Sequence, residues 1–240
     1  MPTRACGNLA RVAQLAFVEL EQARAELGDL SGREVGKIVI GAMPLSRSHV
    51  LPKAIVSFRK VRPNIVIKVL EGSYSELLNG LRRGEIDFLI GALRHPPPIE
   101  DVVQEKLFDD SLVVLTGHNH PLLGQPIPHA QELATWPWLV PREGTPTRTQ
   151  FESVFRDVGA DPPSGLIETG SVILMREMVQ DDQHLACVSQ AQAKGEIEKG
   201  MVAVLKTDFT NSHRPIGLTW RAGWEPTQAQ AQMLSAIRSL

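Results

Sequence analysis

The spacing of apolar positions changes several times along the chain, and the changes divide it. Between residues 8 and 30, Leu9, Ala13, Ala16, Leu20, Ala23, Leu27 and Leu30 recur at alternating steps of four and three, the 3.5-residue period of a helix seam. The spacing predicts one long helix that pairs with a second helix along that seam. The alternative is a helix lying on its own domain, because the three alanines allow close approach but add little burial energy. Ser31-Gly32 and Gly36 predict its end and a hinge.

From Ile38 the period alternates between strand and helix. The strand-like run 38–40 leads to a helix around 49–60, which Arg62-Pro63-Asn64 closes, and residues 65–70 open the next unit. The turn 71–74 precedes a helix with Leu77, Leu78 and Leu81 on one face, ended by Arg82-Arg83-Gly84, and residues 86–91 form another buried strand. This β-α-β-α-β order implies a parallel sheet with right-handed crossovers. Pro96, Pro97 and Pro98 exclude helix and central strand from 94–100, and two strand-like pieces then flank Asp109-Asp110.

A second half repeats the plan. Residues 137–143 read as a short strand and turn before a helix around 147–157, and 165–171 as a strand and turn before the helix that holds Ile173, Leu174 and Met178. Ser171 is a simple helix cap, since residue 174 is Leu and no capping box forms. Strand 185–189, an irregular polar stretch, strands 202–206 and 216–220, and a helix over 226–240 complete the reading.

Composition narrows the function. The 240 residues are 42% hydrophobic and 22% charged, as in ordinary soluble globular chains, and suffice for one large domain or two of about 100 residues each. A formal net charge of −2 gives no general attraction to nucleic acid. Cys6 and Cys187 have neither metal-ligand spacing nor a disulfide framework around them, and no run has the length of a membrane span or a secretory signal core. A cytoplasmic, soluble protein without membrane association is expected.

Motifs for bond-making chemistry are absent. There is no G-x-S-x-G elbow and no G-x-G-x-x-G after a strand, and the Gly32–Lys37 run precedes a strand and is one residue short of a phosphate loop. His118 and His120 flank Asn119 without a third ligand, so a solvated turn is expected there rather than a metal. The pairs Asp109-Asp110 and Asp181-Asp182 read as solvated loop carboxylates, and Arg59, Lys60 and Arg62 as a helix C-terminal cluster. What remains is a set of polar groups at the carboxyl ends of predicted strands: Ser46 and Ser48, Ser73, Thr145, Thr169 and Ser171, with Arg142 and Arg148 nearby. Such groups at helix N-termini suit a small anionic or hydroxylated ligand. Ser46 is read either as a helix cap or as a ligand contact.

Taken in order, G-K-I-V-I-G-A-M-P (36–44), L-P-K-A-I (51–55), P-N-I-V-I (63–67), E-G-S-Y-S-E-L-L (71–78), L-R-R-G-E-I-D-F-L-I-G (81–91) and H-P-L (120–122) resemble the C-terminal part of LysR-type transcriptional regulators. Ile90 to Arg94 look like the branch that serves sugar and aromatic-acid metabolism. The resemblance implies an α/β, periplasmic-binding-protein-like fold of type 2: two α/β lobes joined by two crossover strands and preceded by a long linker helix. It implies a linker and dimerisation helix at 5–31, lobe I at 36–113 plus 214–240, and lobe II at 114–213. The implied effector contacts are Leu45, Ser46, Arg47, Ser73 and Tyr74 in the first lobe, and Pro141, Arg142, Thr145, Thr169, Gly170 and Ser171 in the second.

The implied function is effector sensing and oligomerisation in transcription regulation, with an organic acid or sugar held between the lobes, no catalytic residues, no cofactor and no metal. A homodimer or homotetramer is expected. The family's winged helix-turn-helix does not precede Met1 in this sequence, so DNA binding is expected only through that absent module. A free-standing solute-binding protein is the first alternative and a small-molecule enzyme using the same cleft the second.

Overall fold

The computed structural model describes residues 3–30, 36–94, 101–207 and 213–240. The hinge expected at Ser31-Gly32 and the turn at Pro96–Pro98 lie outside the described residues. By packing, the chain forms two units, Met1–Leu107 with Ile216–Leu240, and Phe108–Pro215.

The first unit opens with α1, Arg4–Leu30. At 100° per residue the helix has two opposite apolar faces. One, with Gln14, Leu15, Val18, Gln22 and Ala25 partly buried, lies on its own unit. There Gly84, at φ 74°, admits Leu15 and Val18 so closely that a Cβ would stand 3.1 Å from each, and Gln14 Nε2 donates to Glu85 Oε1 at 3.2 Å. The other face is the seam, and Leu9, Leu20 and Leu27 on it are 71%, 65% and 65% exposed. The helix therefore lies on its own unit and still leaves its seam open.

Strands β1 (Lys37–Ala42), β2 (Val66–Glu71), β3 (Phe88–Ala92), β4 (Val102–Asp110) and β10 (Arg214–Arg221) form one sheet in the order β2-β1-β3-β10-β4. β1 is parallel to both β2 and β3, as the alternating pattern predicts, while β10 returns antiparallel to β3. Nearly every residue of β1 and β3 is buried, because helices cover both faces of a parallel sheet.

The helix expected at 49–60 is α3 (Val50–Val61); a short α2 (Pro44–Ser48) precedes it, and the two are broken at His49. Pro52 explains the break: a continuous helix would drive its ring into the carbonyl of Ser48, whereas a new start at Val50 puts it in a first turn. Next comes α4 (Tyr74–Arg82), whose N-cap Ser73 forms a capping box with Glu76. The unit closes with α9 (Gln228–Arg238), packed on α3, where Arg62 Nε donates to Gln232 Oε1 at 2.7 Å.

The second unit holds β5 (Leu112–Thr116), β6 (Trp138–Val140), β7 (Ile167–Glu168), β8 (Leu185–Ser189) and β9 (Ala203–Leu205), in the order β7-β6-β8-β5-β9. β6 is parallel to β7 and β8, and β5 is antiparallel to β8. The sheet therefore repeats the first strand for strand. Its helices are the short α5 (Ala130–Leu133), then α6 (Pro146–Asp157), α7 (Val172–Met178) and α8 (Gln190–Glu198). Trp138, Phe151 and Phe155 interlock edge to face under α6, with Trp138 Nε1 donating to the Leu133 carbonyl at 2.8 Å.

Three expectations are corrected here. The stretch after residue 189, read as irregular, is α8; Ser189 caps it and Ala193 is its only buried residue, so it carries almost no apolar period. Asp109 and Asp110 belong to β4 rather than a loop, and Asp110 is 4% exposed. His120 is not a solvated turn residue: it is buried, packed on Trp136 at 4.4 Å between ring centres, with Nδ1 accepting from the Leu122 N–H.

Candidate functional site

In the first unit the parallel pairing of β2, β1 and β3 brings the ends of three strands to one carboxyl edge, where the turns after β1 and β2 lead into helices. The turn after β1 carries Leu45, Ser46 and Arg47. Met43 N–H donates to the Ile90 carbonyl at 3.0 Å, and Gly91 leaves room for the Met43 side chain, which a Cβ there would overlap. Ser46 is the third residue of α2, is fully buried and donates its hydroxyl to the Met43 carbonyl at 2.8 Å. The capping alternative for Ser46 therefore does not hold, because Met43 occupies the cap. Arg47 is ion-paired with Glu71, which fastens the first turn to the end of β2. On the next turn Ser73 is exposed and hydrogen-bonded to Glu76, and Tyr74 is half-buried.

The second unit has the matching edge. Beyond β6, Pro141 is half-buried and Arg142 exposed, while Thr145 caps α6, accepting from Arg148 N–H and donating to the Arg142 carbonyl at 2.7 Å. Beyond β7, Thr169 Oγ1 accepts from Ser171 N–H at 3.0 Å, Gly170 offers its carbonyl to Gln192 Nε2 at 3.2 Å, and Ser171 caps α7. Because β6 and β7 are adjacent and parallel, Arg142, Thr145 and the 169–171 turn share one edge. Each unit thus gathers its own expected contacts, five in one and six in the other. Most of their hydroxyls already hold backbone, which keeps the turns rigid.

Arg148, expected near a ligand, is committed elsewhere. Its guanidinium donates to Glu152 and Glu168, each at 2.6 Å, and this opposes the cost of burial strongly enough to raise its pKa. Behind the second edge lies a polar network built around Asp110, which the sequence reading took for a solvated loop carboxylate. Asp110 accepts from Arg214 at 2.8 Å, from Ser189 Oγ at 2.6 Å and from Ala191 N–H at 3.0 Å, and Arg214 also meets Thr147 in α6. Its sequence signal was slight: an Asp closing one apolar strand and an Arg opening another.

These groups could bind and orient a small molecule. Among the described residues no cluster of three His, Cys, Asp or Glu could hold a metal ion, and no helix is long and apolar enough to cross a membrane.

Residues 31–240 match the family model described as "LysR substrate binding domain". The chain is 30% identical over 239 residues to the HTH-type transcriptional regulator GalR of Pseudomonas putida, covering all of this chain and 60% of that protein. It is therefore shorter than its relative by about two fifths of the relative's length. Among solved structures, the cofactor-binding domain of the Cbl transcriptional regulator superposes with a TM-score of 0.74 at 20% identity, over 85% of this chain and 88% of that one. The regulatory domain of Synechocystis PCC6803 CcmR in complex with 2-PG gives 0.72 at 18% identity, over 85% and 97%. At these identities the structures show a shared fold.

Proposed function

The chain belongs to the LysR substrate-binding domain family, and on that premise we propose that it is the effector-sensing and oligomerisation part of a cytoplasmic LysR-type transcriptional regulator. Its two units act as the two lobes, roughly 36–113 with 214–240 and 114–213, and its effector is a small acid or sugar. The observation that carries this reading is the repeated sheet, which gives each unit a carboxyl edge lined with polar turns, Ser46 and Ser73 in one and Arg142, Thr145 and Thr169 to Ser171 in the other. A ligand that favours one arrangement of the lobes shifts the population toward it by its differential affinity. The role is binding rather than catalysis.

The open seam of α1 supports pairing of subunits, and its opposite face supports passage of the signal from unit to helix. Contact with DNA belongs to a separate helix-turn-helix module of the regulator, so this domain acts on transcription through that module. Calorimetry and thermal-shift screening of small acids and sugars test the reading. A true effector binds the wild type, and binding weakens in Arg142→Ala and Ser73→Ala. A ligand held equally by all three proteins would place the site elsewhere.

A further inference from the structure

The arginines near both carboxyl edges are mostly neutralised within their own units. Arg47 meets Glu71, Arg148 meets Glu152 and Glu168, and Arg214 meets Asp110, while Arg142 is exposed. Arg94 differs. It follows β3 at the carboxyl edge of the first sheet, is half-buried, and pairs with no carboxylate among the described residues. Its guanidinium carbon lies 4.5 Å from the centre of the Tyr74 ring. A guanidinium held against an aromatic face keeps its in-plane N–H donors for a second partner. The Tyr74 hydroxyl and the Gln104 amide nitrogen are buried, and neither makes a hydrogen bond of good geometry, although Gln104 approaches Tyr74 closely enough to favour its ionised form. Buried donors left open in this way call for an acceptor.

We propose that Arg94, Tyr74 and Gln104 form the anion-recognising part of the first unit's effector site, and that the effector carries a carboxylate or phosphate. The proposal rests on the effector-sensing reading and narrows its ligand class. A carboxylate accepts two parallel N–H bonds from the guanidinium and has lone pairs left for the hydroxyl and the amide. A neutral sugar covering the same place would desolvate the Arg94 charge without compensating it.

Tyr74 is the chain's single tyrosine, so tyrosinate absorbance reports this place alone. Burial raises its pKa while Arg94 and Arg82 draw it down, and an anion seated on Arg94 therefore raises it further. Wild type and Arg94→Gln are titrated in chloride and, at equal ionic strength, in benzoate, shikimate or inorganic phosphate. The wild-type midpoint rises with at least one of these anions, whereas Arg94→Gln begins higher and does not respond. A wild-type midpoint indifferent to all three overturns the proposal.

Calorimetry supplies a second arm, with the same anions, benzamide and glucose on wild type, Arg94→Gln, Arg94→Lys and Ser73→Ala. Acid affinity falls about ten- to a hundredfold in Arg94→Gln and partly returns in Arg94→Lys. A neutral compound that binds wild type and Arg94→Gln equally but is weakened by Ser73→Ala overturns the anion class and leaves the effector site standing. Silence from every compound in both arms removes both.

Discussion

Asp110 and Arg214, 104 residues apart, meet as a buried ion pair at 2.8 Å, and they sit on the two strands by which the chain passes between its units. Asp110 also receives Ser189 and Ala191, so the pair fastens both strands to the start of α8. Removing one partner leaves the other charge buried alone, which costs about 3–5 kcal/mol. Arg214→Met should lower the urea midpoint accordingly. Asp110→Asn with Arg214→Met should cost less than the sum of the single changes, a coupling that a double-mutant cycle measures.

Gly217 lies where β10 passes β4, and a Cβ there would stand 1.9 Å from the Glu105 carbonyl oxygen. Backbone cannot move aside as a flexible side chain can. Gly217→Ala should therefore destabilise by about 3 kcal/mol or more and speed amide exchange in both strands. Unchanged exchange in 102–107 would contradict this packing.

His120 is depressed in pKa by burial, against the pull of Asp182 and Asp181. In the unfolded chain it takes up a proton near pH 6.5, in the folded chain only at lower pH, so unfolding binds protons in that window. Stability should fall as the pH drops from about 6.5 through the folded pKa. His120→Asn keeps an acceptor for the Leu122 N–H and should flatten this part of the stability–pH curve relative to wild type.

The α1 seam gives an association test. Leu20→Lys and Leu27→Lys change residues that are already 65% exposed, so each should alter unfolding free energy by no more than about 0.5 kcal/mol. Sedimentation should nonetheless show a lighter species at micromolar concentration. An unchanged sedimentation profile would assign self-association to another surface.

Thiol reactivity separates the two cysteines. Cys6 is exposed, whereas burial pushes the Cys187 thiol up to about 12. A native sample should react at one thiol per chain with a maleimide, and a urea-unfolded one at two.

Much of this architecture could be read from apolar period and turn chemistry. The runs at 38–40, 65–70 and 86–91 alternate with helical stretches, and their parallel pairing follows from that alternation. The turns with Ser73, Thr145 and Ser171 were also legible, since each places a hydroxyl immediately before a helix. What escaped depends on contacts distant in sequence. Asp110 looks like a loop carboxylate until Arg214 is beside it, His120 like a surface turn until Trp136 covers it, and Arg94 like a loop cation until Tyr74 lies under it. The helix α8 escaped for a different reason: one buried alanine gives no stripe to detect.

The strand orders β2-β1-β3-β10-β4 and β7-β6-β8-β5-β9 carry a consequence for how the protein is made. The second sheet draws all its strands from one uninterrupted stretch, 108–215, but the first waits for β10. Until β10 leaves the ribosome, β4 has no neighbour in the first sheet and β3 exposes an unpaired edge. The unit begun first is thus finished last, and the nascent chain holds a completed second unit beside an open-edged first one, the interval in which misassembly and chaperone engagement are concentrated.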